Sequence, residues 1–215
     1  LALTDEQTYQ DWGVNAVTNA WVTDIDREKQ VVTTKSGETY EYDTLVLATG
    51  SYPFVPPIPG NDQEHCLVYR TIEDLEAISA SAAQSKVGVV VGGGLLGLEA
   101  ANALKQAGLD THVVEFAPQL MAVQLDPMGG ELLKDKIEAL GVQVHTQKAT
   151  ECIEAGETCR YRMKFSDGTH LETDLVLFSA GIRPSDQLAR QFGLVIGERG
   201  GIVIDNQCKT SDENV

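Results

Sequence analysis

The chain has 215 residues, 42% of them hydrophobic and 22% charged, with Lys+Arg at 16 against Asp+Glu at 32, a formal net charge of −16. That is the composition of an ordinary globular protein, and so negative a charge repels phosphate backbones and anionic lipid surfaces, which argues against nucleic acid or membrane as partners. The four cysteines, Cys66, Cys152, Cys159 and Cys208, form no C-x-x-C pair, so neither a zinc ribbon nor a disulfide framework is expected and all four read as reduced thiols.

The first residues carry no signal pattern, and the longest nearly apolar run, residues 87–98, is too short and too rich in glycine to span a bilayer. A cytoplasmic location is the expectation. In chain order, residues 13–17 open a set of alternating β-branched segments with a turn at Lys35-Ser36-Gly37, and Leu45-Val46-Leu47 then reads as a fully buried strand ending at Gly50. Residues 51–60 hold four of the seven prolines and predict an extended crossover. A helix follows from about Ile72, with Thr71 and Asp74 spaced as a capping box. Residues 87–91 predict a strand, residues 92–97 a glycine turn, residues 98–106 a helix stopping at Gly108, and residues 111–115 a second strand. This is a complete βαβ unit. Asp126 and Pro127 predict the N-cap and first position of another helix, with Leu132, Leu133, Ile137 and Leu140 on one face.

Residues 141–181 then repeat the pattern of residues 13–50: turns Gly37 and Gly168, acids Asp43 and Asp174, and strand ends Gly50 and Gly181 are each 131 apart, while Gly13 and Gly141 are 128 apart. Both copies predict an antiparallel meander followed by a buried strand. The βαβ unit in front of the second copy would, for the first copy, fall before residue 1, so the chain is expected to be a fragment. Residues 196–215 predict a turn at Gly200-Gly201 and a short strand over Ile202-Val203-Ile204.

Gly92-x-Gly94-x-x-Gly97 lies between a predicted strand and helix, so its backbone amides, those of Leu95 and Leu96 among them, and the helix N-terminus can face a pyrophosphate. The bland reading is a glycine turn that only lets helix and strand pack. Glu115, 18 residues after Gly97 at the end of the second strand, favours the dinucleotide, because a carboxylate there can accept the hydroxyls of an adenosine ribose. It would also repel a 2′-phosphate, and Phe116, Ala117 and Pro118 supply no arginine for one, so NADH is expected over NADPH. Glu99 has two open readings, a carboxylate favoured by the helix dipole or a group reaching the nicotinamide end. Ala180 and Gly181 end a buried strand where a ligand crossing the strand tips would lie, or simply turn the chain. His65, His112, His145 and His170 assemble no catalytic or metal-ligand spacing and are expected to pack or face solvent. With nothing basic beside it, Cys66 reads as inert.

The sequence resembles the two-dinucleotide flavoprotein reductases related to glutathione reductase and rubredoxin reductase. Tyr42-Asp43-x-Leu45-Val46-Leu47-Ala48-Thr49-Gly50 looks like that family's FAD-side strand, and Gly92 to Glu99 like its NAD fingerprint. Phe178-Ser179-Ala180-Gly181-Ile182-Arg183-Pro184 looks like the NAD-side counterpart. More narrowly, Tyr69-Arg70-Thr71-Ile72-Glu73-Asp74-Leu75 and Glu115-Phe116-Ala117-Pro118-Gln119-Leu120-Met121 resemble large subunits of NAD(P)H-dependent assimilatory nitrite reductases.

The resemblance implies an α/β, Rossmann-like FAD/NAD(P)-binding fold of three layers, a parallel sheet plus an antiparallel β-meander, with an NAD domain inserted in a truncated FAD domain. It divides the chain into residues 1–66 (partial FAD domain), 67–195 (NAD domain) and 196–215 (return to the FAD domain). It further implies an electron-entry segment in which NADH delivers hydride to FAD, whose electrons pass to an iron–sulfur cluster and sirohaem outside this chain that reduce nitrite to ammonium. Ala20, Thr49, Gly50 and Arg70 are implied FAD contacts, Arg70 through a pyrophosphate oxygen, although a surface salt bridge is its bland alternative. No metal ligand and no protein nucleophile is expected. The rivals are an NADH-dependent rubredoxin or ferredoxin reductase, an NADH oxidase, and a non-catalytic nucleotide-binding module on the same fold.

Overall fold

A computed structural model of the chain describes residues 4–215. Its contacts fall into two compact units: Ser51–Arg183 is inserted in sequence into a flanking unit made of the chain up to Gly50 and Pro184–Val215.

In the flanking unit, α1 (Glu6–Asp11) is capped by the Asp5 carboxylate, which accepts the Thr8 N–H. An antiparallel meander follows: β1 (Val22–Asp26), β2 (Val31–Thr34) and β3 (Thr39–Glu41), in that spatial order. The Arg27 guanidinium pairs with Asp212 at 3.1 Å, tying the meander to the last residues of the same unit.

The inserted unit starts with β4 (Ser51–Pro53) and β5 (Cys66–Val68). Helix α2 (Ile72–Ala82) begins at the expected reciprocal cap, in which Thr71 accepts the Asp74 N–H and Asp74 accepts the Thr71 N–H. The βαβ unit is β6 (Val87–Val91), α3 (Leu95–Gln106) and β7 (Asp110–Val114). Gly108, at φ +92°, ends α3: its N–H donates to Lys105 O and that of Leu109 to Leu104 O, a left-handed stop open to glycine at no steric cost. Helix α4 (Pro127–Ala139) has Asp126 as N-cap and Pro127 at its start, as the sequence indicates. Then come β8 (Gln143–His145), a second meander of β9 (Thr150–Ala155), β10 (Tyr161–Phe165) and β11 (His170–Thr173), and β12 (Leu175–Phe178). β13 (Ile182–Pro184) pairs with β4, and α5 (Gln187–Gln191) lies in the flanking unit.

The central sheet has the order β5-β12-β6-β7-β8 with every pairing parallel. One face, through Val90, Val113, Val144, Leu175 and Leu177, packs on Ile78 of α2, Ala101 and Leu104 of α3, and Leu133 and Ile137 of α4. The other, through Val89, Val114, Val176 and Phe178, packs on Ile153, Tyr161, Met163 and Phe165 of the meander. Covered on both sides, the central strands are apolar on both faces, which explains the runs Val89-Val90 and Leu175-Val176-Leu177-Phe178, while β7 also buries Thr111 and His112. Each fully buried Leu or Phe contributes roughly 1.5–3 kcal/mol of transfer free energy. Asp174 staples the layers: its carboxylate accepts the N–H groups of Lys86 (2.8 Å), Val87 (3.1 Å) and Arg160 (3.2 Å). Burial raises the pKa of this carboxyl, but the three backbone bonds outweigh it and hold the group below its ordinary value.

Several expectations need correction. Leu45-Val46-Leu47 forms no strand and Val46 is 81% exposed, because no described strand pairs with it, whereas its counterpart β12 lies between β5 and β6. Residues 13–17 are likewise outside any strand, while their counterpart β8 joins the parallel sheet rather than the meander. Ile202-Val203-Ile204 is reduced to a single bridge between Ile196 and Ile202. On α4, Leu133 and Ile137 pack inward, but Leu132 and Leu140 are 59% and 63% exposed; the buried stripe passes through Gly130 instead.

Candidate active site: a cleft at the strand tips

β6, β7 and β12 all point their carboxyl ends at one cleft of about 780 Å³ within the inserted unit. Its floor is the glycine turn after β6, whose glycines have separate reasons. A Cβ on Gly92, which lies at φ +123°, would stand 2.3 Å from Ser179 O, and one on Gly97 would stand 2.0 Å from Gly92 O. Both are therefore fixed by packing. A Cβ on Gly94 would meet nothing within 4 Å, so this position is bare toward open space, as a turn must be where a ligand comes close to backbone. Gly94 is also the N-cap of the 12-residue α3 and gives its first-turn amides no side-chain acceptor. With Leu95 and Leu96 exposed at the cleft, the positive end of the helix dipole is available to an anion.

Glu115 follows β7 directly. Its carboxylate accepts the Gly93 N–H at 2.5 Å and the Ala117 N–H at 2.7 Å, and its own N–H donates to His145 O at 2.8 Å. The acid is thus held at the turn. Ionised, it has about four acceptor positions, so two remain for hydroxyl donors from a ligand. These residues fit a dinucleotide: donors for a pyrophosphate, room made by Gly94, and an oriented acceptor beyond them.

Gly92, Gly94, Leu95, Leu96, Gly97, Glu115, Ala180 and Gly181 all line this one cleft. Glu99 does not; it is exposed on α3, outside the lining residues. Arg70 also lines the cleft, its guanidinium donating to Ser51 Oγ at 3.0 Å, and among the described residues it has no ion pair. In the flanking unit, Thr49 and Gly50 line a second cleft of about 650 Å³, where Thr49 Oγ1 donates to Ser185 O at 2.7 Å, while Ala20 is outside that lining. The chain's one G-x-G-x-x-G is at residues 92–97, so the flanking unit supplies no such turn for a second pyrophosphate.

Sequence reasoning missed Phe54, Tyr69, Phe116, Lys148 and Ile182, which also line the main cleft. Tyr69 and Lys148 come just after β5 and β8, so recognising those two short strands would have found them. Phe54 is set by its N–H bond to Gly181 O at 2.9 Å and by the Arg183 guanidinium, 4.1 Å from its ring centroid.

Other reactive groups lie apart from the cleft. Burial pushes the Cys66 thiol up to about 11, and all four cysteines are free. His112 and His145, expected to be scattered, are stacked across β7 and β8 with Nδ1 and Nε2 3.0 Å apart, and burial lowers the pKa of both. Among the described residues no three His, Cys, Asp or Glu side chains are grouped to hold a metal ion, and no helix is long and apolar enough to cross a membrane.

The family model for pyridine nucleotide-disulphide oxidoreductases matches residues 5–215. The chain is 57% identical over 215 residues to the nitrite reductase [NAD(P)H] large subunit of Klebsiella oxytoca and 53% identical over 216 to the nitrite reductase (NADH) large subunit of Escherichia coli. All of the chain is covered in both cases, but it spans only 22% and 26% of those relatives. Among solved structures, a ferredoxin reductase from Rhodopseudomonas palustris superposes with a TM-score of 0.92 at 31% identity, covering 99% of this chain and 52% of that one.

Proposed function

The chain belongs to the pyridine nucleotide-disulphide oxidoreductases, and from that premise we propose that it is the NADH-binding, electron-entry segment of a flavoprotein reductase that converts nitrite to ammonium. NADH supplies a hydride and FAD accepts it, the two cofactors carrying the redox chemistry. The amides at the start of α3 receive the pyrophosphate, and Glu115 accepts the adenosine ribose hydroxyls. Ala180 and Gly181 leave the far end of the cleft clear for the nicotinamide. Arg70 on this cleft, and Ala20, Thr49 and Gly50 in the flanking unit, are proposed FAD contacts on the family resemblance; Glu99 keeps only its place near the helix start. Residues 67–195 are proposed as the NAD domain, with residues 1–66 and 196–215 as parts of the FAD domain.

The observation that carries the reading is the pairing of a bare Gly94 with an oriented Glu115 in one cleft. Nitrite as terminal substrate is supported by the likeness to two nitrite reductase large subunits across the whole chain. The iron–sulfur cluster, the sirohaem and the remaining domains of that reductase would be its partners. A cytoplasmic site of action is proposed with it, because NADH is a cytoplasmic reductant.

Calorimetric titration with NADH, NADPH and FAD in parallel tests the reading. NADH bound well ahead of NADPH supports it; a folded sample that ignores NADH overturns it. The likeness to a ferredoxin reductase favours a second reading with a protein acceptor, and NADH-driven turnover of the intact protein with nitrite against ferredoxin separates the two.

A further inference from the structure

Beside the main cleft lies a cation with no part in the function proposed above. Lys148 lines it together with Glu115 and Phe116, and the Lys148 backbone N–H donates to Glu115 O at 3.0 Å. Its side chain runs over the Phe165 ring, with Nζ 5.4 Å from the centroid. The ammonium is bonded to the Asp167 carboxylate and, at 2.8 Å, to Thr169 Oγ1. Asp167 sits in the turn between β10 and β11, where its other oxygen accepts the Thr169 N–H at 3.0 Å and the Thr169 hydroxyl at 2.6 Å. The Lys148 ammonium, helped by Thr169, holds the Asp167 carboxyl far below the usual carboxylate range. At neutral pH the two charges cancel, so Lys148 does not offset Glu115, and the cleft's other cation, Arg70, is turned to Ser51 Oγ.

We infer that Lys148 is a latent subsite for the 2′-phosphate of NADPH, kept out of use by Asp167, so that this ion pair and Glu115 together set the preference for the unphosphorylated dinucleotide. The inference rests on reading the cleft as a dinucleotide site with its adenosine end at Glu115. A phosphate monoester carries more than one negative charge at neutral pH and is bound well by a lysine acting as a point charge. What Lys148 lacks is freedom. Its bond to the neutral Thr169 hydroxyl yields readily to a doubly charged phosphate, whereas its bond to the Asp167 carboxylate does not. Asp167 is exposed, so changing it to asparagine removes the charge while keeping the turn-forming side chain and the oxygen that accepts from Thr169.

The test titrates NADH and NADPH calorimetrically into the intact protein as wild type, Asp167→Asn and Asp167→Asn/Lys148→Met. Asp167→Asn is expected to tighten NADPH relative to NADH by about fivefold at low salt, a gain that shrinks as ionic strength rises and disappears in the double variant. Asp167→Ser makes the same change of charge with a second residue that suits turns, so the comparison survives if one variant misfolds. An unchanged NADPH-to-NADH ratio in the single variants, or a gain that persists without Lys148, overturns the inference while leaving the NADH site standing. Failure of folded wild type to bind NADH at all overturns both.

Discussion

Glu115 and Gly93 are joined by a 2.5 Å hydrogen bond from the glycine N–H to the carboxylate, which ties the end of β7 to the turn that follows β6. One side chain therefore shapes the turn that should receive a pyrophosphate and supplies the acceptor that should receive the ribose.

Glu115→Ala is expected to weaken NADH binding by about tenfold or more, the loss of a charge-assisted hydrogen bond, and to narrow the gap between NADH and NADPH because the repulsion of a 2′-phosphate goes with it. Titration of both nucleotides checks this. Discrimination left intact would remove the adenosine ribose from Glu115.

Gly94→Ala and Gly97→Ala should fail differently. The Gly94 site is open, so alanine leaves the unfolding midpoint nearly unchanged but places a methyl where the dinucleotide must approach, and affinity falls. At Gly97 the new Cβ would stand 2.0 Å from a backbone oxygen, so the fold itself loses about 1–3 kcal/mol from overpacking. Thermal melts with and without NADH distinguish the two.

Core truncation should respect burial rather than hydrophobicity. Leu177→Ala, in the sheet between β5 and β6 at 1% exposure, is expected to cost about 2–5 kcal/mol. Leu140→Ala, at 63% exposure, should stay within about 0.5 kcal/mol. Urea unfolding of both variants measures the difference.

Stability should decline on mild acidification through the stacked histidines. Burial lowers the folded-state pKa of both His112 and His145 from 6.5, so the unfolded chain takes up their protons first. Their contribution is complete above the unfolded value and is lost as pH falls below it, with a slope of at most about 1.4 kcal/mol per pH unit for each proton. Urea midpoints from pH 7.5 to 5.5 should drop in wild type and flatten in His112→Gln/His145→Gln; equal slopes would assign the acid sensitivity to other groups.

Local patterns were enough for the elements that carry their own signals. Thr71 with Asp74, Asp126 with Pro127, and Gly108 after Gln106 each announced a helix end through side chains or backbone freedom acting within four residues, and the structure has all three. The run Leu45-Val46-Leu47 failed for the opposite reason: apolar residues state a need for burial, and a strand that finds no neighbour cannot satisfy it. β5 escaped notice because three residues, Cys66, Leu67 and Val68, become a strand only by pairing with Val176, Leu177 and Phe178, more than a hundred positions away.

By itself, then, the sequence determined the βαβ unit, the two meanders and the glycines and acid that meet at one cleft, since spacing along the chain encodes helix and strand periodicity and the short reach of a turn. Only the tertiary structure decided that Gly94 faces open space while Gly92 and Gly97 are held by packing, that Glu99 lies outside the cleft, and that Lys148 and Asp167 meet beside Glu115. Those facts depend on which strands lie side by side, and parallel neighbours are chosen by the burial of both sheet faces at once, a condition no single stretch of chain contains.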